Sequence, residues 1–145
     1  MTERTDGKYT TSYGYDAAGR PEWLWNEMTG ADIWYDFDAA GRPVMEQYAI
    51  QPDGSTEWME AARRSYGYDS LGRLTDDIIT TPDEATEIAS TTYAYDLDDR
   101  LTWKQTSGTA GAGEHVYGYD QADRLPTGPT TARPPRTRGT RPATV

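Results

Sequence analysis

Residues 66–74 combine two aromatic residues, an aspartate turn and an arginine, and read Tyr66-Gly67-Tyr68-Asp69-Ser70-Leu71-Gly72-Arg73-Leu74. Copies of the pattern aromatic-x-aromatic-Asp-x-x-(Gly/Asp)-Arg begin at residues 13, 35, 66, 93 and 117, which gives intervals of 22, 31, 27 and 24 residues. Self-similarity at such a period indicates a repeat protein. The motif residues are Tyr13, Tyr15, Asp16, Gly19, Arg20, Tyr35, Phe37, Asp38, Gly41, Arg42, Tyr66, Tyr68, Asp69, Gly72, Arg73, Tyr93, Tyr95, Asp96, Arg100, Tyr117, Tyr119, Asp120 and Arg124.

The motif has the local chemistry of a β-hairpin tip. Aromatic residues two positions apart share one face of a strand. The aspartate carboxylate can accept a backbone N–H two residues on, and the glycine tolerates positive φ. The arginine then begins the return strand, so each motif predicts a hairpin with an Asp-x-x-Gly turn. Asp99 and Asp123 replace the turn glycine in the last two copies, where we expect looser turns.

The fold class predicted from the repeats is all-β, with tandem antiparallel hairpins. Residues 1–8 form a polar lead-in, residues 9–125 hold the five repeats, and residues 126–145 form a tail. The longest interval predicts an additional strand over residues 56–59. The best helical candidate, residues 57–64, is short and uncapped, so no helix is predicted.

The tail differs in composition from the rest of the chain. Five of the nine prolines lie in residues 126–145, where tyrosine and tryptophan are absent. Because proline cannot donate to a β-ladder, we predict no strand there and a disordered segment. One hypothesis is that the tail is out-of-frame or truncated coding sequence, in which case another reading frame of the downstream DNA should contain further copies of the motif.

The charge of the chain is unevenly distributed. All 24 acidic residues and 10 of the 14 basic residues lie in residues 1–125, whereas the tail holds four arginines and no acid. The acidic body argues against nucleic acid as a partner. No apolar run exceeds three residues, so no membrane span is predicted. Residues 1–10 carry no apolar stretch typical of a signal peptide, and the absence of cysteine excludes disulfides.

The five motifs resemble those of the RHS/YD-repeat family, whose signature is Tyr-x-Tyr-Asp-x-x-Gly-Arg-Leu. Residues 66–74 match every fixed position, and the resemblance covers about residues 9–125. The family includes bacterial polymorphic toxins, wall-associated proteins, insecticidal toxin-complex subunits and teneurins. The resemblance implies hairpins that follow one another in part of a spiralling sheet or open shell. In large members, the shell encloses a C-terminal toxin or another segment.

Some positions depart from the family pattern. Pro21 and Pro43 stand where the signature has leucine, and the turn glycine is missing twice. A Pro-x-x-x-x-Asp-Pro-x-Gly segment, which would mark the self-cleaving region that closes the shell in large bacterial members, is absent from these residues. The resemblance therefore carries over the repeat unit alone.

Several residue sets have both a functional and a structural interpretation. The motif tyrosines, and the tryptophans at 23, 25, 34, 58 and 103, could stack on sugars, but recurrence at one repeat position favours packing of the tyrosines between hairpins. The Asp–Arg pairs are interpreted as turn caps with a local ion pair. Adjacent carboxylates at 76–77 and 98–99 point to opposite faces of a strand, unlike the pair that glycoside hydrolysis requires. Asp96-x-Asp98-Asp99 lacks the remaining residues of a calcium loop, and His115 has no nucleophile at a suggestive spacing.

The resemblance and the residues together predict a non-enzymatic structural segment of a repeat shell that encapsulates or displays a toxin or another segment. The expected partners are the remaining repeats and the C-terminal toxin of a larger protein, which would be secreted or at the cell surface. The alternative is a carbohydrate or cell-surface binding module that uses the repeat Tyr and Trp residues. No cofactor or metal is predicted. Because terminal repeats need caps, we expect the isolated chain to aggregate or to be partly disordered.

Overall fold

The structure is a computed structural model that describes residues 2–6, 8–52, 54–108, 112–125 and the backbone of 130–131. Within these ranges the chain is all-β, which confirms the predicted fold class, and it forms one antiparallel sheet in which every strand pairs with its neighbours in sequence. No helix in this described part is long and apolar enough to cross a membrane. The strands are β1 (Thr2–Asp6), β2 (Tyr9–Tyr15), β3 (Pro21–Asn26), β4 (Ala31–Phe37), β5 (Pro43–Ile50), β6 (Met59–Tyr68), β7 (Leu74–Thr80), β8 (Glu87–Tyr95), β9 (Leu101–Ser107), β10 (Gly113–Val116) and β11 (Thr130–Thr131).

Every motif forms a turn between two strands at the same end of the sheet. In the third copy the Asp69 N–H donates to the Arg73 carbonyl and the Gly72 N–H donates to the Asp69 carbonyl, both at 3.0 Å, and the other four copies repeat these bonds. The register shifts by one residue beside the second aromatic in the four hairpins from β2–β3 to β8–β9. The predicted hairpin tip is therefore a turn followed by a β-bulge, which increases the local twist.

The two aspartates that replace the turn glycine adopt the same backbone conformation as glycine. Gly72 has φ of 83°, and Asp99 and Asp123 have φ of 63° and 57°. The Asp99 N–H lies 3.3 Å from the Asp96 carbonyl, against 3.0 Å in the other four copies. The expected loosening is therefore limited to the fourth turn, and the fifth turn is as short as the glycine turns.

The longest interval contains no additional strand, so the strand predicted over residues 56–59 is wrong. Residues 56–58 belong to the connector, and Met59 begins β6, which is ten residues long. The Ser55 N–H donates to the Pro52 carbonyl at 2.9 Å, and the Ser55 hydroxyl accepts the Glu57 N–H at 3.0 Å. These local bonds hold the chain in a turn, so the extra residues lengthen one hairpin connector and one strand.

The sheet is a single layer without a buried hydrophobic core in its described part. Ser12, which is 3% exposed, is the buried polar residue, and no described hydrophobic residue is buried. The register aligns Tyr13, Leu24, Ile33 and Tyr48 in one row across β2 to β5. Trp23 and Trp34 lie opposite each other in the adjacent row, on the other face. Each hairpin is therefore covered at its edges by neighbouring hairpins, while both faces remain partly open.

The last strand differs from the prediction for the tail. Thr130 and Thr131 pair with Val116 and His115, at the place where a return strand of the fifth hairpin belongs. Both threonines keep their backbone N–H, and a β-branched residue suits a strand, so two residues pair despite the prolines around them. The remainder of the predicted disordered tail, residues 126–129 and 132–145, lies outside the described residues.

Candidate functional site

The motif aspartate and arginine are bound to each other within each turn. In the third copy, one Asp69 oxygen accepts the N–H groups of Leu71 and Arg73, and the other accepts the Arg73 Nε–H at 2.7 Å. All five copies share this arrangement. The backbone N–H of the arginine is the largest cause that lowers the pKa of each turn carboxyl below its usual range. The pair closes its own turn.

The motif arginine also contacts the next repeat, and we call this set of contacts the arginine ladder. Its guanidinium lies over the second aromatic ring of the following motif. The distances to the ring centroid are 4.6 Å for Arg20–Phe37, 4.4 Å for Arg42–Tyr68, 4.8 Å for Arg73–Tyr95 and 5.1 Å for Arg100–Tyr119. Cation–π contacts of this kind at accessible sites contribute about 0.5–1 kcal/mol each. The ladder therefore joins consecutive hairpins through motif residues.

The second aromatic adds a hydrogen bond to the preceding repeat when it is a tyrosine. The hydroxyls of Tyr68, Tyr95 and Tyr119 donate to the carbonyl of the residue that follows the preceding motif arginine. The distances are 2.8 Å to Pro43, 2.9 Å to Leu74 and 2.9 Å to Leu101. Phe37 has no hydroxyl, so its contact with the preceding repeat lacks this bond. Since the acceptor carbonyl and the guanidinium both belong to the preceding repeat, each tyrosine ring is fixed against that repeat.

Asp99 and Asp123 extend the arginine ladder. Asp99 accepts a hydrogen bond from Arg73 at 2.7 Å, and Asp123 accepts one from Arg100. In the copies with glycine, a Cβ placed on Gly41 would lie 3.8 Å from Arg20 Nη1, and one on Gly72 would lie 3.1 Å from Arg42 Nη1. The fourth position of the turn therefore faces the arginine of the preceding repeat. From the sequence, Asp99 and Asp123 were expected to loosen their turns, although their occurrence in two consecutive copies could have indicated a shared contact.

The two ends of the ladder lack these inter-repeat partners. Tyr15, in the first motif, is 46% exposed, and no preceding arginine lies over it among the described residues. Arg124, in the last motif, has a side chain that is 77% exposed and pairs with Asp120 of its own turn. Both residues hold the same motif positions as their half-buried counterparts in the other copies. The difference in their surroundings follows from position in the array.

A second candidate site, unlike the arginine ladder, is built from residues that do not recur in each repeat. We call it the polar cluster. Glu46 of β5 accepts hydrogen bonds from the hydroxyls of Tyr48 and of Tyr66, the latter at 2.8 Å. Arg64 makes two bonds of 2.7 Å to the carboxylate of Asp77 and lies 5.1 Å from the centroid of the Tyr66 ring. The five side chains therefore connect three consecutive strands on one face.

The electrostatics of the polar cluster keep its phenols protonated. Burial is the largest cause that raises the pKa of Tyr66, and the hydrogen bond to Glu46 adds to it. The same two causes raise the pKa of Tyr48. Burial and the charge of Glu46 raise the pKa of Tyr35, which lies opposite Glu46 in the register. Phenols in this state donate hydrogen bonds and do not act as bases or nucleophiles at neutral pH.

Two cavities open on the face that carries the polar cluster. A cavity of about 280 Å³ is lined by Arg4, Tyr9, Thr11, Tyr13, Asn26 and Met28. Arg4 makes no ion pair with a described residue, and Lys8 lies 5.5 Å from the centroid of the Tyr9 ring. A cavity of about 170 Å³ adjoins the pair of Arg64 and Asp77. The larger cavity combines two phenol rings with a guanidinium that has no ion-pair partner in the described part of the chain.

Some of the tryptophans make packing contacts, and others are accessible to solvent. The Trp23 indole covers Gly14, since a Cβ placed on Gly14 would lie 1.9 Å from its Nε1. Its ring centroid lies 6.4 Å from that of Trp34, which is partly exposed. The Trp25 Nε1 is buried without a hydrogen-bond partner. Trp58 lies exposed in the β5–β6 connector, apart from the others.

The remaining candidate residues are not assembled into a reactive centre in the described ranges. Asp77 binds Arg64, whereas Asp76 faces the opposite side beside Gly67. Asp98 and Asp99 each pair with an arginine. His115 has a buried Nδ1 without a partner. Within the part of the chain that the structure describes, no group of three or more His, Asp or Glu residues is placed to hold a metal ion.

Comparisons with known proteins found likenesses among solved structures. No family model matches the chain. No curated protein matches it by sequence. The structure of TcdB2-TccC3-Cdc42 matches at 18% identity and a TM-score of 0.42, over 81% of this chain and 7% of that chain. The structure of TcdB2-TccC3-TEV matches at 19% identity and a TM-score of 0.41, again over 81% of this chain and 7% of the other. The Tc holotoxin pore of Photorhabdus luminescens with a TccC3 mutation matches at 19% identity and a TM-score of 0.41, over 81% of this chain and 6% of that chain. The chain thus spans less than a tenth of the length of each of these structures.

Proposed function

We propose that this chain is a structural segment of an RHS-type repeat shell that encapsulates or displays another polypeptide segment, such as a toxin. Its role in this proposal is non-enzymatic, and its partners are further repeats of the same kind and the enclosed segment. The whole protein would act outside the cell or at its surface. The motif resemblance over residues 9–125 supports the assignment to this type of repeat.

The observation that carries the proposal is the arginine ladder. The ladder contacts between one motif and the next are made by the arginine, the second aromatic and, in the last two copies, the turn aspartate, together with the backbone carbonyl that follows the arginine. Because each repeat contacts the next in the same way, further repeats can be added at either end through the same contacts. The absence of a buried hydrophobic core in the described part agrees with a wall, since a single sheet buries its surface by adding neighbours.

A protease-protection experiment tests this function. The chain is expressed together with the coding sequence on either side of it, and each downstream segment is monitored by limited proteolysis and mass spectrometry. Enclosure predicts that a downstream segment resists protease in the intact protein and becomes sensitive when residues 9–125 are deleted. A deletion of the same length outside the repeats is the control. If the segment is cleaved equally with and without the repeats, encapsulation is wrong.

The alternative function, glycan binding, is favoured by one observation, the 280 Å³ cavity. Tyr9 and Tyr13 offer rings for stacking, Asn26 offers an amide, and Arg4 offers a guanidinium without an ion-pair partner among the described residues. This set of groups suits a sugar that carries a carboxylate. A panel of neutral and acidic oligosaccharides, measured by calorimetry on the native chain and on Arg4→Gln, tests the alternative. Saturable binding of acidic sugars that Arg4→Gln removes would favour it over the shell, and no binding across the panel would refute it.

A further inference from the structure

We infer that the tryptophan face of the sheet is a docking surface for the chain's own basic C-terminal segment, residues 132–145. The tryptophan face is defined as the side of the sheet on which Trp23, Trp25, Trp34 and Trp103 lie. This inference does not depend on the proposed function, because it concerns a contact within the chain. It rests on the register of the sheet, on the charges of that face and on the composition of the segment.

The register assigns carboxylates to the same face as the tryptophans. Directly paired residues share a face, as do residues two apart in one strand. Trp23 lies opposite Trp34, Trp25 lies opposite Asp32, and Asp36 is two positions from Trp34. A row of paired residues then crosses from β4 to β9 and consists of Asp36, Met45, Ser65, Ile78, Ser90 and Ser107.

The same row also identifies the residues of β7 to β10 that lie on the tryptophan face. Asp76 is two positions from Ile78, which belongs to that row. Glu114 lies opposite Gln105, which is two positions from Trp103, and the Trp103 Nε1 donates to Glu114 at 2.6 Å. Asp32, Asp36, Asp76 and Glu114 therefore lie on the tryptophan face. They are distributed from β4 to β10.

These four carboxylates have no cation beside them among the described residues. Asp32 and Glu114 accept bonds from indoles, and Asp36 and Asp76 form no hydrogen bond or ion pair with a described residue. The strand cation that the register places on this face, Arg63, is already paired with Glu60 and Glu84. By contrast, Glu46 and Asp77 of the polar cluster are close to Arg64. The negative charge of the sheet is therefore uncompensated on the tryptophan face.

The indoles make the face suitable for arginine and proline. A guanidinium binds well over an indole, and a proline-rich segment in polyproline II conformation is recognised on aromatic surfaces. Trp34 is partly exposed. The face thus presents anionic groups and indole ring surfaces.

Residues 132–145 have the complementary composition. They contain Arg133, Arg136, Arg138 and Arg141, three prolines and no acidic side chain. Such a segment cannot build a core of its own. Its arginines match carboxylates beside indoles, and its prolines keep it extended at a low cost in conformational entropy.

The length of the segment is sufficient for this contact. It follows β11, which pairs with β10 at the edge of the sheet. The 14 residues from 132 to 145 span about 43 Å in polyproline II conformation at ~3.1 Å per residue. Adjacent strands lie about 4.8 Å apart, so the segment can cross roughly nine strands. It can therefore reach Trp103, Asp76, Asp36 and Trp34 in turn.

Paramagnetic relaxation in the full-length chain tests the inference. The chain has no cysteine, so Gly139→Cys provides a single site for a spin label within the segment. We expect loss of indole N–H signal intensity for tryptophans of the tryptophan face. Trp58, in the connector, is the internal control and should keep its intensity. The intensity should return in 0.5 M salt because exposed charges are then screened.

Three variants separate charge from fold. In the labelled chain, Asp36→Asn with Asp76→Asn should restore the lost indole signals, whereas Glu27→Gln with Glu57→Gln, in two connectors, should leave them suppressed. Changing the four arginines of the segment to glutamine should restore the signals without any change in the sheet. Equal broadening of all five indoles, or none, would overturn the inference. In a mixture of spin-labelled chains and unlabelled, isotope-enriched chains, signal loss can arise only from contact between molecules. Signal loss that occurs only in that way would also overturn the inference, in favour of docking on a second copy.

Discussion

Phe37→Tyr should stabilise the protein by completing a hydrogen bond that three other repeats possess. Phe37 lies under Arg20 with a centroid distance of 4.6 Å, as the corresponding tyrosines lie under their arginines. By analogy with Tyr68, whose hydroxyl donates to Pro43, the new hydroxyl would donate to the Pro21 carbonyl. Such a bond contributes about 0.5–1.5 kcal/mol net, which corresponds to roughly 4 °C in Tm per kcal/mol for a domain of this size.

The reverse change provides the matched comparison. Tyr95→Phe removes the bond of 2.9 Å to the Leu74 carbonyl and should lower the free energy of unfolding by about the same amount. Tyr15→Phe is the control, because Tyr15 has no preceding repeat among the described residues and should change stability little. Urea unfolding followed by tryptophan fluorescence measures all three. If Phe37→Tyr destabilises the chain, or Tyr15→Phe costs as much as Tyr95→Phe, then the rings do not fix one repeat on the next.

Three further predictions concern packing and pH. Gly14→Ala should destabilise by about 1–3 kcal/mol through overpacking against Trp23 and shift its fluorescence, whereas Gly113→Ala, which has open space at its Cβ, should be close to neutral. At high pH, stability should fall above about pH 10, because the pKa of Tyr66 is raised in the folded state and the unfolded chain loses its proton first. Absorbance titration of the phenols checks this, and an unshifted midpoint for every tyrosine would contradict it. The pKa of the turn aspartates is lowered in the folded state. Their contribution to the free energy of unfolding is therefore present above about pH 4 and is lost as the pH falls through their folded-state pKa. Asp69→Asn should flatten this acid dependence, measured by circular dichroism, and an unchanged slope would argue against the turn carboxylates as its cause.

The local part of the fold was predictable because the motif specifies its own turn. The carboxylate of Asp69, the positive φ of Gly72 and the start of β7 after Arg73 all follow from interactions within five residues. The strand predicted over residues 56–59 failed for a related reason. Side-chain bonds of Ser55 hold that segment in a turn, and alternation of residue types does not reveal them.

The sequence predicted that the motif tyrosines pack between hairpins, but the partner of each side chain could not be predicted because it depends on register. Arg73 was assigned to its own turn, and its contacts with Tyr95 and Asp99 lie 22 and 26 residues further along the chain. The polar cluster also depends on register, since Glu46 and Tyr66 meet only when β5 and β6 pair in the observed register. A bulge or a shift of one residue would have moved either side chain to another neighbour.

A double-mutant cycle between Arg42 and Tyr68 tests the arginine ladder most directly. The two side chains belong to consecutive repeats and lie 4.4 Å apart, measured from the guanidinium carbon to the ring centroid. With Arg42→Gln and Tyr68→Leu, the ladder predicts a coupling free energy of about 0.5–1 kcal/mol in urea unfolding. The same cycle between Arg42 and Tyr95, one repeat further along, should give additivity. Zero coupling for the adjacent pair, or equal coupling for both pairs, would contradict the conclusion that the motif itself joins one hairpin to the next.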